Sequence, residues 1–274
     1  MEIINTLLIA PLVNGLALFY RLMGGNMGLG IIVFTVVLRL ILTPLTRPYM
    51  DSMKKMKDYQ KDIDKLKKKY KDDPMKLRRA QADFFREKGI NPGAGCLPYL
   101  LQIVVLIALF RVFTSILSPG VDVASEFNKH LYTALQFHEG AQINTRFLYL
   151  DVSQPDKFYI PGITFPLPGP ILILAAIVQL LSAKLTMPYL AEEQKLAKKT
   201  KDAKDDMQVA MQSSMIYTFP LMTLLIGLNF PSGLALYWVT FSIFQFVQQY
   251  RSQGWGGLTP LIKRLGLLQL QNKQ

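Results

Sequence analysis

Arg39 stands near the middle of an apolar segment, residues 28–48 (GLGIIVFTVVLRLILTPLTRP), that carries no other charge before Arg47. At the α-helical rise the segment can cross a bilayer, and it places the guanidinium roughly 16 Å into a hydrocarbon core about 30 Å thick. Burying that group in lipid costs from ~3 to ~15 kcal/mol depending on the reference scale. The side chain is therefore expected to face protein or water within the membrane, and an ionisable group at that depth reads by default as a functional site. The competing reading is snorkelling toward the basic flank at Arg47, about two turns away. Thr35 and Thr43 lie four residues to either side and share the helix face of Arg39. The chemistry on offer is a fixed positive charge flanked by hydroxyls at membrane depth.

Polar residues on the other apolar segments include Gln102, Gln179, Ser182, Thr218, Thr223, Thr240, Ser242 and Gln245. For each Ser or Thr the ordinary role is a bond back to its own helix or a contact between helices. Gln102 is a stronger candidate, because a primary amide in lipid is costly unless it meets a partner. No bond-making constellation is present. His130 and His138 both fall between two apolar segments, away from any membrane-embedded serine. Neither GxxxxGK[ST] nor HExxH occurs, and the single cysteine, Cys96, excludes an internal disulfide and cannot by itself make a zinc site. No enzymatic role, cofactor or metal is expected.

The elements that must position these residues follow from composition. Half of the 274 residues are hydrophobic, which reads as an all-α polytopic membrane protein. Five segments satisfy the length rule, at about 28–48, 96–116, 169–187, 213–229 and 233–250. Fifteen of the 31 Lys and Arg lie between Arg47 and Lys88, and six more between Lys184 and Lys204. Both stretches are expected in the cytoplasm, which puts the N-terminus outside and the C-terminus inside. The loop 117–166, with three basic and five acidic residues, then lies outside; Ser125 to Phe137 is expected to form a short helix in it. The last two spans are joined by so short a turn, Asn229 to Ser232, that they must be antiparallel.

Residues 3–22 are long enough for a sixth span, but Asn5, Pro11, Asn14 and Arg21 argue instead for an interfacial helix on the outer face, within a segment 1–24. Between the first two spans, Met53, Met56, Ile63, Leu66 and Tyr70 recur at helical steps, Pro74 fits the first position of a new helix, and Leu77, Ala80, Phe84 and Phe85 continue the stripe. A cytoplasmic helical hairpin over 51–88 is expected, followed later by a cytoplasmic loop 188–212 and a short basic tail 251–274. With no basic region after Met1-Glu2 and no cysteine near the N-terminus for a lipid anchor, the expected address is a bacterial plasma membrane.

The blocks GNMGLGIIVFTVVLRLILTPLT, MKKM, INPGAGCLPYLLQ (residues 90–102) and FPSGLALYW (residues 230–238) occur in this order, and the chain resembles the YidC/Oxa/Alb family of membrane protein insertases from about Gly25 to Gln249. The resemblance implies a five-helix core with a positively charged groove open to cytoplasm and lipid and closed to the outside. It implies that Arg39, Gln102, Tyr237 and Trp238 contact the substrate there, with Thr35 and Thr43 beside Arg39. The implied activity moves client transmembrane segments from cytoplasm into the bilayer without nucleotide, Arg39 serving as a temporary partner for acidic residues of a translocating tail. Nascent membrane proteins and membrane lipids are the implied partners, with the ribosome and the Sec translocon as further candidates. Compared with well-known members, the chain is expected to lack a large extracytoplasmic domain and to dock ribosomes weakly through its tail. A small channel or transporter, or an assembly chaperone without insertase activity, would fit a polar cavity as well; the paired interrupted helices of transporters are not found.

Overall fold

The computed structural model describes residues 5–70, 73–91, 96–117, 120–162, 164–197 and 217–264. A single π-turn, Asn5–Ile9, leads into α1, Ala10–Leu22, with Pro11 in the first turn where its missing N–H does no harm. Then follow α2 (Met27–Asp58), α3 (Gln60–Lys69), α4 (Pro74–Glu87), α5 (Cys96–Ile116) and the short α6 (Val123–Asn128). Two small antiparallel hairpins come next, β1 (Arg146–Phe147) with β2 (Leu150–Asp151), and β3 (Lys157–Phe158) with β4 (Leu167–Pro168). The chain continues as α7 (Pro170–Ala197), α8 (Tyr217–Gly227), α9 (Ser232–Gln253) and α10 (Thr259–Arg264).

Among the described residues two helical stretches have the length and composition to cross a membrane, Asn5–Leu22 and Met27–Pro48; Ile103–Ile116, Pro170–Leu185 and Tyr217–Gly227 are shorter apolar helices. Three boundaries differ from the sequence expectation. The first apolar helix does not stop at Pro48 but runs unbroken to Asp58 through Pro44 and Pro48. The helix expected over Ser125 to Phe137 is α6, which is shorter and starts earlier, because Asp122 caps it by accepting from the N–H groups of Ala124 and Ser125. And α7 continues past residue 187 to Ala197. Of the expected loop 188–212, residues 198–212 lie outside the described residues, as do residues 265–274 of the tail.

The chain forms two compact units. The first comprises residues up to Ile41, Gln102–Leu180 and Thr218–Phe244. Its core is built by Val13 and Leu16 of α1, Met27 and Ile31 of α2, Leu109 and Phe113 of α5, Leu172 of α7, and Leu234 and Tyr237 of α9, all buried. In lipid such a core is held by close packing, since hydrocarbon is as apolar as leucine. Gly30 shows how close: a Cβ there would lie 3.0 Å from the backbone of Tyr20, so α1 and α2 meet main chain to side-chain-free main chain.

The loop between α5 and α7 also belongs to this unit, and it satisfies the N-terminal N–H groups of three helices. Met27 N–H donates to the Asn144 carbonyl, opening α2. The N–H groups of Ser232 and Gly233 donate to the carbonyls of Gln154 and Val152, opening α9. At α7, Leu172 N–H donates to the Asp156 carboxylate at 2.9 Å and Ile171 N–H to the Tyr149 hydroxyl at 2.9 Å. Gly169 leaves the room for this cap, because a side chain there would occupy the place of the Asp156 carboxylate. Such ends would otherwise carry unsatisfied donors at a membrane surface. The polar residues of α1 serve the same loop. Asn14 donates to the His130 carbonyl and accepts from Tyr132 N–H, while Arg21 donates to the carbonyls of Leu135 and Gln136.

The second unit comprises Leu42–Leu101, Leu181–Tyr217 and residues from Gln245 on. Here α3 and α4 follow each other closely: Met56, Ile63 and Leu77 are buried, and the Tyr59 and Phe84 rings meet edge to face at 5.8 Å. Pro74 does open α4, with Asp73 accepting from Lys76 N–H as its cap. Met53 lies outside the described side chains. Leu185, Leu258 and Ile262 form a separate cluster packed against Trp255 and Tyr250, whose tilted rings have centroids 4.6 Å apart.

Candidate functional site

Arg39 is half-buried on α2. Its guanidinium carbon sits 4.0 Å from the centre of the Phe241 ring and 5.7 Å from that of Phe244, both on α9. A cation over an aromatic face is attracted by the ring quadrupole, by about 0.5 kcal/mol at an exposed site and ~2 kcal/mol when desolvated. Tyr237 is almost wholly buried and its ring lies 5.9 Å from that of Phe241. Tyr237, Phe241 and Phe244 fall at helical steps of four and three, so they form one aromatic ridge of α9 on which the charge of Arg39 rests.

Of the other residues expected at this site, Trp238 is buried, and its indole N–H has no acceptor among the described residues. Thr35 is completely buried and donates its hydroxyl to the Ile31 carbonyl at 2.6 Å, so that donor is used within α2. Thr43 belongs to the second unit, where its carbonyl accepts from the Thr46 hydroxyl at 2.9 Å. The side chain of Gln102 lies outside the described residues. Contacts thus join Arg39 to the ridge that includes Tyr237, and no described contact brings Thr35 or Trp238 to the guanidinium.

Two features escaped sequence reasoning. Phe241 and Phe244 are ordinary apolar residues in isolation; the available signal was their step from Tyr237. Gln179 and Thr223 were noted singly, but they form a buried bridge between α7 and α8, the Thr223 hydroxyl donating to Gln179 Oε1 at 3.0 Å.

The loop end of this unit has its own electrostatics. Burial by itself would raise the Asp151 carboxyl, but hydrogen bonds from the Ser153 hydroxyl and N–H and from Thr145, with Arg146 nearby, hold it below the usual carboxylate range. The backbone carbonyl of the same residue accepts from the Ser232 hydroxyl at the start of α9.

A family model described as 60Kd inner membrane protein matches residues 18–254. The chain is 32% identical over 226 residues to the membrane protein insertase YidC of Fusobacterium nucleatum subsp. nucleatum, covering 82% of this chain and 85% of that protein. It is 32% identical over 254 residues to membrane protein insertase YidC 2 of Bacillus anthracis, covering 91% and 81%. Against the longer YidC of Chlorobium luteolum, identity is 34% over 225 residues, but the match spans only 32% of that protein's length.

Proposed function

Because this chain belongs to the 60Kd inner membrane protein family, we propose that it is a membrane protein insertase, as its relatives are named. It transfers client transmembrane segments into a bacterial membrane and makes or breaks no covalent bond. The observation that carries the mechanism is Arg39 resting on the aromatic ridge of α9. The apolar segments 28–48, 96–116, 169–187, 213–229 and 233–250 contain no Asp or Glu, so the field inside them is net positive. A client segment enters lipid by its own apolar area, at about 25 cal/mol per Å², and its acidic flank is the part that needs help. In our reading Arg39 attracts that flank and releases it, while the flat faces of Phe241 and Phe244 hold the guanidinium in place without neutralising it. Trp238 offers a buried donor to a passing backbone carbonyl, and Gln102, Tyr237, Thr35 and Thr43 complete the wall of the groove.

The topology we assign has five spans, the loop 117–166 outside, and the α3–α4 hairpin and tail in the cytoplasm. It is supported by the start of α2, α7 and α9 at that one loop, since alternate spans must run the same way. The N-terminal helix is placed at the outer face, where its Asn14 and Arg21 meet the loop. The hairpin, the ribosome and the Sec translocon are assigned to early client delivery.

The test is reconstitution of the purified chain in liposomes with a small single-span client and no nucleotide. A protease-protected client fragment that depends on the chain is the expected result. Equal protection with empty liposomes, the chain being folded, overturns the reading.

A further inference from the structure

Between α1, α5 and the loop after α5 lies a cavity of about 170 Å³. Arg111, Ser115, His130 and Asn5 supply its polar lining, and Ile9 and Ile116 are among its apolar walls. All lie in the first compact unit. His130 is fixed there from behind, since the buried Asn14 binds both its carbonyl, at 3.0 Å, and the N–H of Tyr132, at 2.8 Å. Arg111 is exposed and takes part in none of the described ion pairs. The residues that line this space thus include a guanidinium, an imidazole, a hydroxyl and an amide, with no acid among the described lining residues, and these are groups that can donate to a phosphate oxygen.

What continues from the cavity distinguishes the kind of phosphate. Ile103, Ile107, Arg111 and Ser115 follow one another at steps of four along α5, and all four are exposed. This ridge is apolar for two steps and then cationic and hydroxylic. From Arg111 to Ile103 it runs about 12 Å at the helical rise, most of the roughly 15 Å hydrocarbon depth of one leaflet. The cavity itself is smaller than the ~300 Å³ needed for a drug-sized ligand, so it admits a headgroup and leaves the rest of the molecule outside, along the ridge.

We propose that this cavity is a binding site for an anionic glycerophospholipid. Arg111 and His130 hold its phosphate, Ser115 and Asn5 contribute hydrogen bonds, and one acyl chain lies along Ile107 and Ile103. The site rests only on α5 spanning the membrane and is independent of insertion.

The experiment reads lipid and not activity. The chain is extracted from nanodiscs of equal parts phosphatidylglycerol and phosphatidylcholine, and retained lipid is counted by native mass spectrometry. Wild type is expected to keep phosphatidylglycerol preferentially. Arg111→Gln should lower its retention about tenfold, the scale of one charge-assisted hydrogen bond, and His130→Gln should lower it less. Lys157→Gln, which removes an exposed cation outside the cavity, should leave it unchanged. Equal retention by wild type and Arg111→Gln, with circular dichroism unchanged, overturns the site. A second arm adds inorganic phosphate or dihexanoyl phosphatidylglycerol to the protein in detergent and follows the thermal midpoint. Stabilisation by the short-chain lipid alone is expected, whereas equal stabilisation by inorganic phosphate overturns the lipid assignment. Neither failure bears on the liposome insertion assay.

Discussion

The guanidinium of Arg39 lies face-on at 4.0 Å from the Phe241 ring, although the two residues belong to helices far apart in the sequence. An aromatic face holds a cation while leaving its charge intact, which a carboxylate would not. Replacing Arg39 by Ala should slow insertion of clients with acidic N-terminal tails by about tenfold, the scale of one charge-assisted contact, and leave clients with neutral tails nearly unaffected. Arg39→Lys should retain most activity, because a point charge over the rings remains. Protease protection of paired acidic and neutral clients measures this. Equal rates for Ala and wild type on acidic tails would leave Arg39 as a snorkelling residue.

Phe241 tests the other partner. Phe241→Leu keeps an apolar side chain of useful size but removes the quadrupole, so it should destabilise the folded chain in detergent by roughly 0.5–2 kcal/mol. In an Arg39→Ala background the same change should do little. A double-mutant cycle on thermal or denaturant unfolding isolates the pair, and a coupling near zero would show that the two merely lie close.

These two residues also mark how far the sequence was legible. Arg39 stood out alone, because a charge among apolar residues is a local anomaly. Phe241 did not, because a phenylalanine among apolar residues is none, and its meaning comes from a contact across the fold. The start of α4 at Pro74 was legible for the same local reason, with Asp73 as its cap. The end of α2 was not. Proline normally stops a helix by removing a donor and crowding the preceding turn, but each one removes a single bond while the neighbouring backbone groups stay paired, and the helix continues through Pro44 and Pro48 to Asp58. The polar residues of α1 read as defects in a span; Asn14 and Arg21 prove to be the contacts that hold the loop after α5.

Asn14 gives the next expectation. Its amide donates to the carbonyls of Ala10 and His130 and accepts from Tyr132 N–H. Asn14→Leu leaves the loop's carbonyl and N–H unsatisfied beneath α1, which should lower stability by about 1–3 kcal/mol. Leu18→Ala, at an exposed position of the same helix, should change it far less. Thermal unfolding in detergent compares the two, and an equal effect would mean that Asn14 only fills space. Asn14→Leu should also loosen His130 and so reduce the retained phosphatidylglycerol.

The last expectation concerns pH at the start of α7. The Tyr149 hydroxyl accepts from Ile171 N–H at 2.9 Å and donates to Asp156 at 3.2 Å, while the other Asp156 oxygen accepts from Leu172 N–H. Burial of the hydroxyl pushes the phenol up to about 12; the Ile171 N–H pulls the other way, and the Asp156 charge adds to the rise. A folded-state value above the unfolded one, about 10 for tyrosine, means that the neutral phenol favours the folded form. This contribution is complete below about pH 10 and is lost as pH rises toward about 12, because the unfolded chain sheds its proton first. The wild-type thermal midpoint should therefore fall more steeply between pH 9.5 and 11.5 than that of Tyr149→Phe, which has no proton to lose. Tyr149→Phe should start lower at pH 8, having lost the acceptor for Ile171 N–H and the donor to Asp156. Parallel curves for the two proteins across that range would show that the phenol ionises alike in both states and does not hold the start of α7.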